Sequence, residues 1–331
     1  MKTGDITRRR LLQLGAASGA AWAVPASSQA QARYPQRPIA LVDSFTAGGS
    51  SDLFARHLAE QMGPILGTTI VVENKPGGGG VVGTEHVARS TPDGYTLAMA
   101  TVSTMATGPA VRPKLPYDPG KDFVHITNVV NVPSVLVVHP SVPATSLKEL
   151  VGLAKRKPGE LTFGTPGMGS AGHILLEQFM QSSGAKFLNV PYRGGSSASN
   201  DLLAGHILVA SDNLPSMLPH IQSGKVRAIA VRDHQRLALL PDVPTYAEEG
   251  YPEVSAPLWF GLVAPAGTPR DVVLQLNLAA HQAIATPAFQ ARLRAVSASS
   301  AANKPEEFAQ QVRTLFEKYK DVVRKGQITL G

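Results

Sequence analysis

Cysteine is absent from all 331 positions. Disulfides, thiolate catalysis and cysteine-based metal sites are thereby excluded. Beyond residue 32 no apolar run is long enough to make a membrane-spanning helix. There is also no basic block. The formal charge is +7, of which residues 1–32 supply +3 through Lys2, Arg8, Arg9 and Arg10 against Asp5, so the remainder carries about +4, thinly spread. That distribution argues against a nucleic-acid surface and mildly favours small anionic ligands. The nine histidines contain no H-E-x-x-H or other tight ligand pair, so neither a metal nor a cofactor is expected. No internal repeat or low-complexity tract is present.

The chain opens on Thr7-Arg8-Arg9-Arg10-Leu11-Leu12, followed by a short apolar run rich in Gly and Ala, and then by Ala30-Gln31-Ala32. A basic start, an apolar middle and a small-x-small end read as an export signal over 1–32. The paired arginines suggest the twin-arginine route, with a Sec signal as the alternative. Cleavage near Ala32 is expected to leave a protein outside the cytoplasm, and with no Cys at that point a lipoprotein anchor is excluded.

From residue 39 onward, strand-like and helix-like segments alternate. Residues 39–44 form a short apolar run, and 51–66 place Phe54, Leu58, Met62 and Ile65 on one helical face. Strands follow at 69–73 and 95–100, with a helix at 81–89 between them. A long β-rich stretch covers 129–139, interrupted by Pro133. The rhythm continues with a helix at 147–157, opened by Ser146 as N-cap, and then strands and helices in turn to residue 231. A strand at 259–264 and helices at 270–286 and 305–325 close the chain. The last helix carries Phe308, Val312, Leu315, Phe316, Tyr319 and Val323 on one stripe. This order predicts α/β layers around mainly parallel sheets. The length fits two smaller sheets with a ligand held between them.

Ligands in open α/β sheets sit where strands hand over to helices. Four handovers here are short and rich in Gly, Ser and Thr: Phe45-Thr46-Ala47-Gly48-Gly49-Ser50-Ser51-Asp52, Thr101-Val102-Ser103-Thr104, the run 165–173 ending on His173, and Tyr192-Arg193-Gly194-Gly195-Ser196. They offer backbone N–H groups and hydroxyls but few charges, which suits an oxyanion held by neutral donors. Asp52 also reads as an ordinary partner of the helix dipole, and His173 as either a ligand contact or a cap. The string Gly78-Gly79-Gly80-Val81-Val82-Gly83 matches G-x-G-x-x-G only formally. Pro76 breaks the handover, and no acidic residue closes a following strand at the right distance. Two strings each miss one Gly of the G-x-S-x-G elbow, which leaves an exported hydrolase using Ser170 or Ser196 as a competing reading.

Read in order, further strings carry a resemblance. They include Tyr34-Pro35, Ala47-Gly48-Gly49-Ser50-Ser51-Asp52, Val71-Val72-Glu73-Asn74-Lys75-Pro76-Gly77, Pro92-Asp93-Gly94-Tyr95, Leu115-Pro116-Tyr117-Asp118-Pro119, Val190-Pro191-Tyr192-Arg193-Gly194, Leu240-Pro241-Asp242-Val243-Pro244-Thr245 and Ala264-Pro265-Ala266-Gly267-Thr268-Pro269. Together they resemble the Bug family, the extracytoplasmic solute receptors of tripartite tricarboxylate transporters. The resemblance implies a two-lobed type II periplasmic-binding-protein fold, hinged, with the ligand cleft between the lobes. The first lobe would comprise 33–135 and 259–331, the second 136–258, with hinges near 135–139 and 256–261. It implies a periplasmic, non-enzymatic monomer that binds a small carboxylate (a dicarboxylate, tricarboxylate, acidic amino acid or aromatic acid) and docks on membrane transporter subunits. A sensor feeding a signalling partner would share this fold.

Carried onto this chain, the first loop gives Phe45, Ala47, Gly48, Ser51 and Asp52. The opposite lobe gives Thr165, Gly169, Ser170 and His173, and Thr101, Ser103, Thr104, Tyr192 and Asp212 line the rest. Asp212 reads either as an acceptor for a ligand ammonium or as a strand-end partner of the backbone. The chain departs from the family at Asp43-Ser44, where apolar residues are common, and at Thr46, where Pro is.

Overall fold

Residues 34–330 are described by a computed structural model, and the export signal expected over 1–32 lies outside them. From Arg37 onward the chain forms one unit built on two sheets. The strands are β1 (Ile39–Asp43), β2 (Ile70–Asn74), β3 (Thr96–Thr101), β4 (Phe123–Val132), β5 (Ser134–Val138), β6 (Thr162–Thr165), β7 (Leu188–Pro191), β8 (Val209–Asn213), β9 (Arg227–Arg232), β10 (Leu258–Pro265) and β11 (Ser299–Ser300). The first sheet has the order β11-β4-β10-β3-β1-β2, and the second β7-β6-β8-β5-β9.

The sheets are mixed rather than mainly parallel. β1 is parallel to β2 and β3, and β6 to β7 and β8. By contrast β10 is antiparallel to β3 and β4, and β5 to β8 and β9. The strands that break the pattern are those by which the chain changes sheets. The single β-rich stretch expected at 129–139 is two strands in different sheets. Pro133, which has no N–H to give a ladder, is the only residue between them. The first crossing therefore falls at Pro133, because Ser134 and Val135 already pair with β8 and β9. The return crossing is the irregular stretch 233–257, and Leu258 already pairs in the first sheet.

The helices are α1 (Ser50–Leu66), α2 (Val81–Ala88), α3 (Gly108–Val111), α4 (Leu147–Arg156), α5 (Ala171–Ser183), α6 (Gly195–Leu203), α7 (Leu214–Gln222), α8 (Arg270–Ala285), α9 (Pro287–Ala295) and α10 (Pro305–Lys325). Four of them cover the two faces of the second sheet, α4 and α5 on one and α6 and α7 on the other. Every side chain of β5 is buried. Leu136 and Val138 face α4 and α5, while Val135 and Val137 face α6 and α7. That explains why β5 is an unbroken apolar run instead of an alternating one. Ser146 caps α4 as expected, its hydroxyl accepting from Glu149 N at 3.2 Å. In α1, Phe54, Leu58 and Met62 are buried, whereas Ile65 points out near the C-terminal Gly67. No helix among the described residues is long and apolar enough to cross a membrane.

The stripe of α10 docks on the first sheet, with Phe308, Val312 and Tyr319 buried in its core. Gly261 of β10 makes this possible. A Cβ at that position would lie 2.2 Å from the Phe308 ring, so only a residue without one lets the helix sit so low. Phe308→Ala should lower the unfolding free energy by about 3–5 kcal/mol, and Gly261→Ala by about 1–3 kcal/mol through overpacking. Urea denaturation followed by circular dichroism checks both; an unchanged midpoint for either would contradict this packing.

Candidate functional site

The loop between β1 and α1 is set by the network behind it. Gly48 adopts a positive φ of 80°, which turns the chain so that its N–H donates to Asp52 Oδ2 at 2.9 Å. Arg56 grips the same carboxylate with two nitrogens, at 3.0 and 2.9 Å. Asn74, at the end of β2, donates to Asp52 Oδ1 at 2.9 Å and to the Phe45 carbonyl at 3.2 Å. Burial pushes the Asp52 carboxyl up, but the bonds from Arg56, Gly48 and Asn74 outweigh it and hold the group below its ordinary value. Gly49, the N-cap of α1, contributes no side-chain acceptor. The first N–H groups of α1 are thus left for whatever lies before them.

What lies before them is a small cavity between the two sheets, about 60 Å³ in volume. Phe45, Ser50 and Ser51 form its α1 side, and Thr101, Val102 and Ser103 continue it from the end of β3. A turn of π-helix at Ser103–Thr107 carries the chain on from there. The opposite wall holds Pro166, the first-turn residues Ala171 and Gly172 of α5, Gly195 at the start of α6, and Ser211, Asp212 and Asn213 of β8. Helix N-termini from both sheets therefore meet one space, and the partial positive charge there favours an anion.

Direct contacts hold the two sides together. Thr46 Oγ1 and Ser196 Oγ lie 2.6 Å apart, and Ser196 also donates to the Ala47 carbonyl at 3.0 Å. Ser103 Oγ accepts from Ala171 N at 3.0 Å, and Thr107 donates to the Gly169 carbonyl at 3.1 Å. Arg112 donates to the Gly78 carbonyl at 2.9 Å and to that of Met168. The run Gly77–Gly80, which mimics a nucleotide motif in sequence, belongs to this seam. A Cβ on Gly79 would stand 2.5 Å from the Met168 carbonyl oxygen of the other side.

Of the residues expected at the site, Phe45, Ser51, Thr101, Ser103 and Asp212 line the cavity. The others stand behind it or beside it. Ala47 and Gly48 serve the seam and the Asp52 network, and Asp52 turns back to Gly48, Arg56 and Asn74. Thr104 is occupied by Thr101, its Oγ1 accepting from Thr101 N at 3.0 Å. Thr165 donates to Asn189 Oδ1 at 2.8 Å, and Tyr192 donates to Asp201 at 2.6 Å. Ser170 is the N-cap of α5, accepting from His173 N at 3.3 Å. Gly169 donates to His173 Nδ1 at 3.2 Å, so the imidazole closes the loop ahead of its own helix. Burial and the nearby Arg112 charge push His173 down to about 4, leaving it neutral at pH 7. Neither Ser170 nor Ser196 is hydrogen-bonded through its hydroxyl to a histidine ring.

The wall also contains residues that sequence reasoning did not select, among them Ser134, Arg232, Trp259 and Phe260. All four lie beside the sheet crossings; Trp259 and Phe260 fall in the hinge expected at 256–261, but none of the four was expected to meet the ligand. An arginine ending the apolar run Ala228-Ile229-Ala230-Val231 was the one available signal. Among the described residues, Asp212 and Arg232 are the only ionisable side chains on the wall. Asp212 accepts from Asn213 N at 2.8 Å, Ser216 Oγ at 3.1 Å and Ser199 Oγ at 3.4 Å. Burial pushes its carboxyl up from the ordinary value. Behind Ser51 lies Asp43, fully buried, accepting from Ser51 Oγ at 3.0 Å through one oxygen while the other has no partner. Burial raises its carboxyl to about 7. Among the described residues no cluster of three or more His, Asp or Glu is arranged to hold a metal.

Two α/β sheets joined by two crossings, with a polar cavity between them, define a solute-binding-protein architecture. The sequence model described as "Tripartite tricarboxylate transporter family receptor" (TctC) matches residues 54–328. Protein BugT of Bordetella pertussis is 37% identical over 293 residues, covering 88% of this chain and 90% of BugT. The solved structure of the periplasmic binding protein BugD superposes with a TM-score of 0.87 at 35% identity, covering 89% of this chain and 99% of BugD. MatC from Rhodopseudomonas palustris, solved with bound malate, gives 0.85 at 30% identity over 88% of this chain and all of its own (100%). The chain belongs to the TctC receptor family and is similar to the Bug proteins within it.

Asp43 titrates from the folded state well above its unfolded value of 3.8. A raised carboxyl lends stability below the unfolded value and loses it as pH climbs to the folded one. The protein should therefore lose stability through this group as pH rises from roughly 4 to 7. Asp43→Asn should flatten that part of the melting-temperature profile, and an identical slope in the variant would remove Asp43 as its cause. Gly195→Ala puts a Cβ 2.5 Å from Asp212 Oδ2, and should cost about 1–3 kcal/mol of stability by displacing that carboxylate.

Proposed function

We propose that this protein is a periplasmic receptor that captures a small carboxylate between two lobes and hands it to a tripartite tricarboxylate-type membrane transporter. The lobes are 34–132 with 258–330, and 134–257, the first hinge being centred on Pro133 instead of the expected 135–139. The observation that carries the reading is the convergence of the α1 and α5 N-termini, one from each sheet, on one polar cavity. Family membership and the malate held by MatC support it.

A carboxylate leaves water only where its lost hydrogen bonds are replaced. Here the N–H groups of Ser50 and Ser51, the hydroxyls of Thr101 and Ser103, and trapped waters supply them. Each charge-assisted bond contributes roughly 1.5–3 kcal/mol, so a few suffice for micromolar affinity, about 8 kcal/mol. Ala47, Gly48, Asp52, Thr104, Thr165, Gly169, Ser170, His173 and Tyr192 act by shaping the loops that bear these donors. The cavity of about 60 Å³ falls well short of the roughly 300–1,000 Å³ of an ordinary ligand pocket. Loading an organic acid therefore requires the lobes to part, and the Thr46–Ser196 and Ser103–Ala171 contacts re-form around it. In this reading the protein is a monomeric receptor without cofactor or catalysis; among the described residues neither Ser170 nor Ser196 has its hydroxyl bonded to a histidine ring.

Thermal unfolding with a panel of acids, malate included, tests the proposal. The melting temperature should rise with the logarithm of ligand concentration, by the equivalent of about 2.7 kcal/mol at a hundred times Kd. Ser170→Ala should still bind the acid, more weakly, while losing about 1 kcal/mol of stability through its missing cap. Ester turnover that vanishes in Ser170→Ala, or a melting temperature indifferent to every acid, would overturn the receptor reading.

A further inference from the structure

The back wall of the cavity has polar groups that find no hydrogen-bond partner among the described residues. Ser134, the first residue of β5, sits in register with Asn213 of β8 on one side and Arg232 of β9 on the other. Directly opposed residues in an antiparallel pair face the same side of the sheet, and here all three line the cavity. Ser134 Oγ and Asn213 Oδ1 are buried without a hydrogen-bond partner, and so is Nε1 of Trp259, which lines the same cavity from β10. Such groups cost free energy unless something meets them.

Arg232 sharpens the point. It is 3% exposed, yet no carboxylate lies within 4.0 Å of it among the described residues, although many surface arginines are paired. Its bonds go to neutral groups: Nε donates to the Val254 carbonyl at 3.0 Å, and Nη2 to Tyr319 OH at 3.2 Å. The acids nearest in the chain or on the wall are engaged elsewhere. Asp233 accepts from His234 N, and Asp212 from Asn213, Ser199 and Ser216. A guanidinium has five donors, in a fork suited to a carboxylate, and an unpaired buried charge is expensive. The indole N–H of Trp259 and the hydroxyl of Ser134 are further donors.

We propose that Arg232, with Ser134 and Trp259, forms a second anion subsite, distinct from the α1 and α5 helix ends, and that the ligand is accordingly a dicarboxylate spanning the two. This rests on the receptor reading and adds the substrate class to it. The neutral donors at the helix ends take one carboxylate, and the Arg232 cation takes the other and pairs with it. Asp212, already satisfied by three neutral donors, is left to border the ligand.

Calorimetric titration of the protein with succinate, glutarate and adipate, each against the monoacid of equal length (butyrate, pentanoate, hexanoate), tests this. The best-fitting diacid should bind at least about tenfold more tightly than its monoacid. R232Q should bring the diacid down by roughly tenfold to a hundredfold, towards the affinity of the monoacid. S134A, a one-atom deletion, should cost the diacid about threefold to tenfold. If R232Q fails to fold by circular dichroism, S134A and the diacid preference of the unaltered protein decide. Monoacids binding as tightly as diacids, or variants that weaken both equally, would overturn the subsite and leave the receptor reading intact. No binding of either class would instead remove the receptor reading itself.

Discussion

An anion can be held inside a protein without a matching fixed charge only if its shell of water is exchanged for donors that already stand in place. In this molecule that requirement fixes the arrangement of the cleft. Donors must come from helix ends, because those are the backbone N–H groups that secondary structure leaves over. They must also come from two sheets, because one helix end does not surround an oxyanion. The β1–α1 loop illustrates how much is spent on aiming a single set. Asp52, Arg56 and Asn74 are bound to one another and to Gly48 and Phe45, so the donors of α1 face the cavity before any ligand arrives.

The second sheet answers with a different chemistry. Ser170 and His173 close the loop ahead of α5 by bonding to its backbone, which explains why two residues so suggestive of catalysis are consumed by local architecture. The neutral state of His173 suits that work, since a protonated ring could not accept from Gly169 N. The wall then changes character towards the crossings, where Arg232 and the unsatisfied Ser134 and Trp259 replace helix ends with side chains. Helix termini are common to any fold of this architecture, whereas a particular arginine on a strand end belongs to one sequence. On the dicarboxylate proposal, discrimination among acids falls to this region.

Much of the framework was legible in the sequence. Helical spacing located α1, α4 and α10, and the strand-to-helix loops led to the cavity, because a Gly- and Ser-rich handover has few other uses in an α/β sheet. The antiparallel pairing was not legible. A buried strand reads as the same apolar run in either direction, and Pro133 marks an interruption without saying that the chain changes sheets there. The site was read only in part, for a related reason. Loop residues advertise themselves by composition, but whether Thr165 or Tyr192 turns to the cavity or to Asn189 and Asp201 depends on partners distant in the chain. Ser134, Arg232 and Trp259 were hidden because each sits in a strand whose neighbours are core residues.

The crossing at Pro133 has one more implication. With a single residue between the last paired position of β4 and the first of β5, the tether has no slack. In the hinged receptor proposed above, the halves would swing about this point instead of sliding along each other, with the axis beside Ser134 at the rear of the chamber. Material near that axis is displaced least, so whatever a guest presents to the back wall is the last part of it to regain contact with bulk solvent.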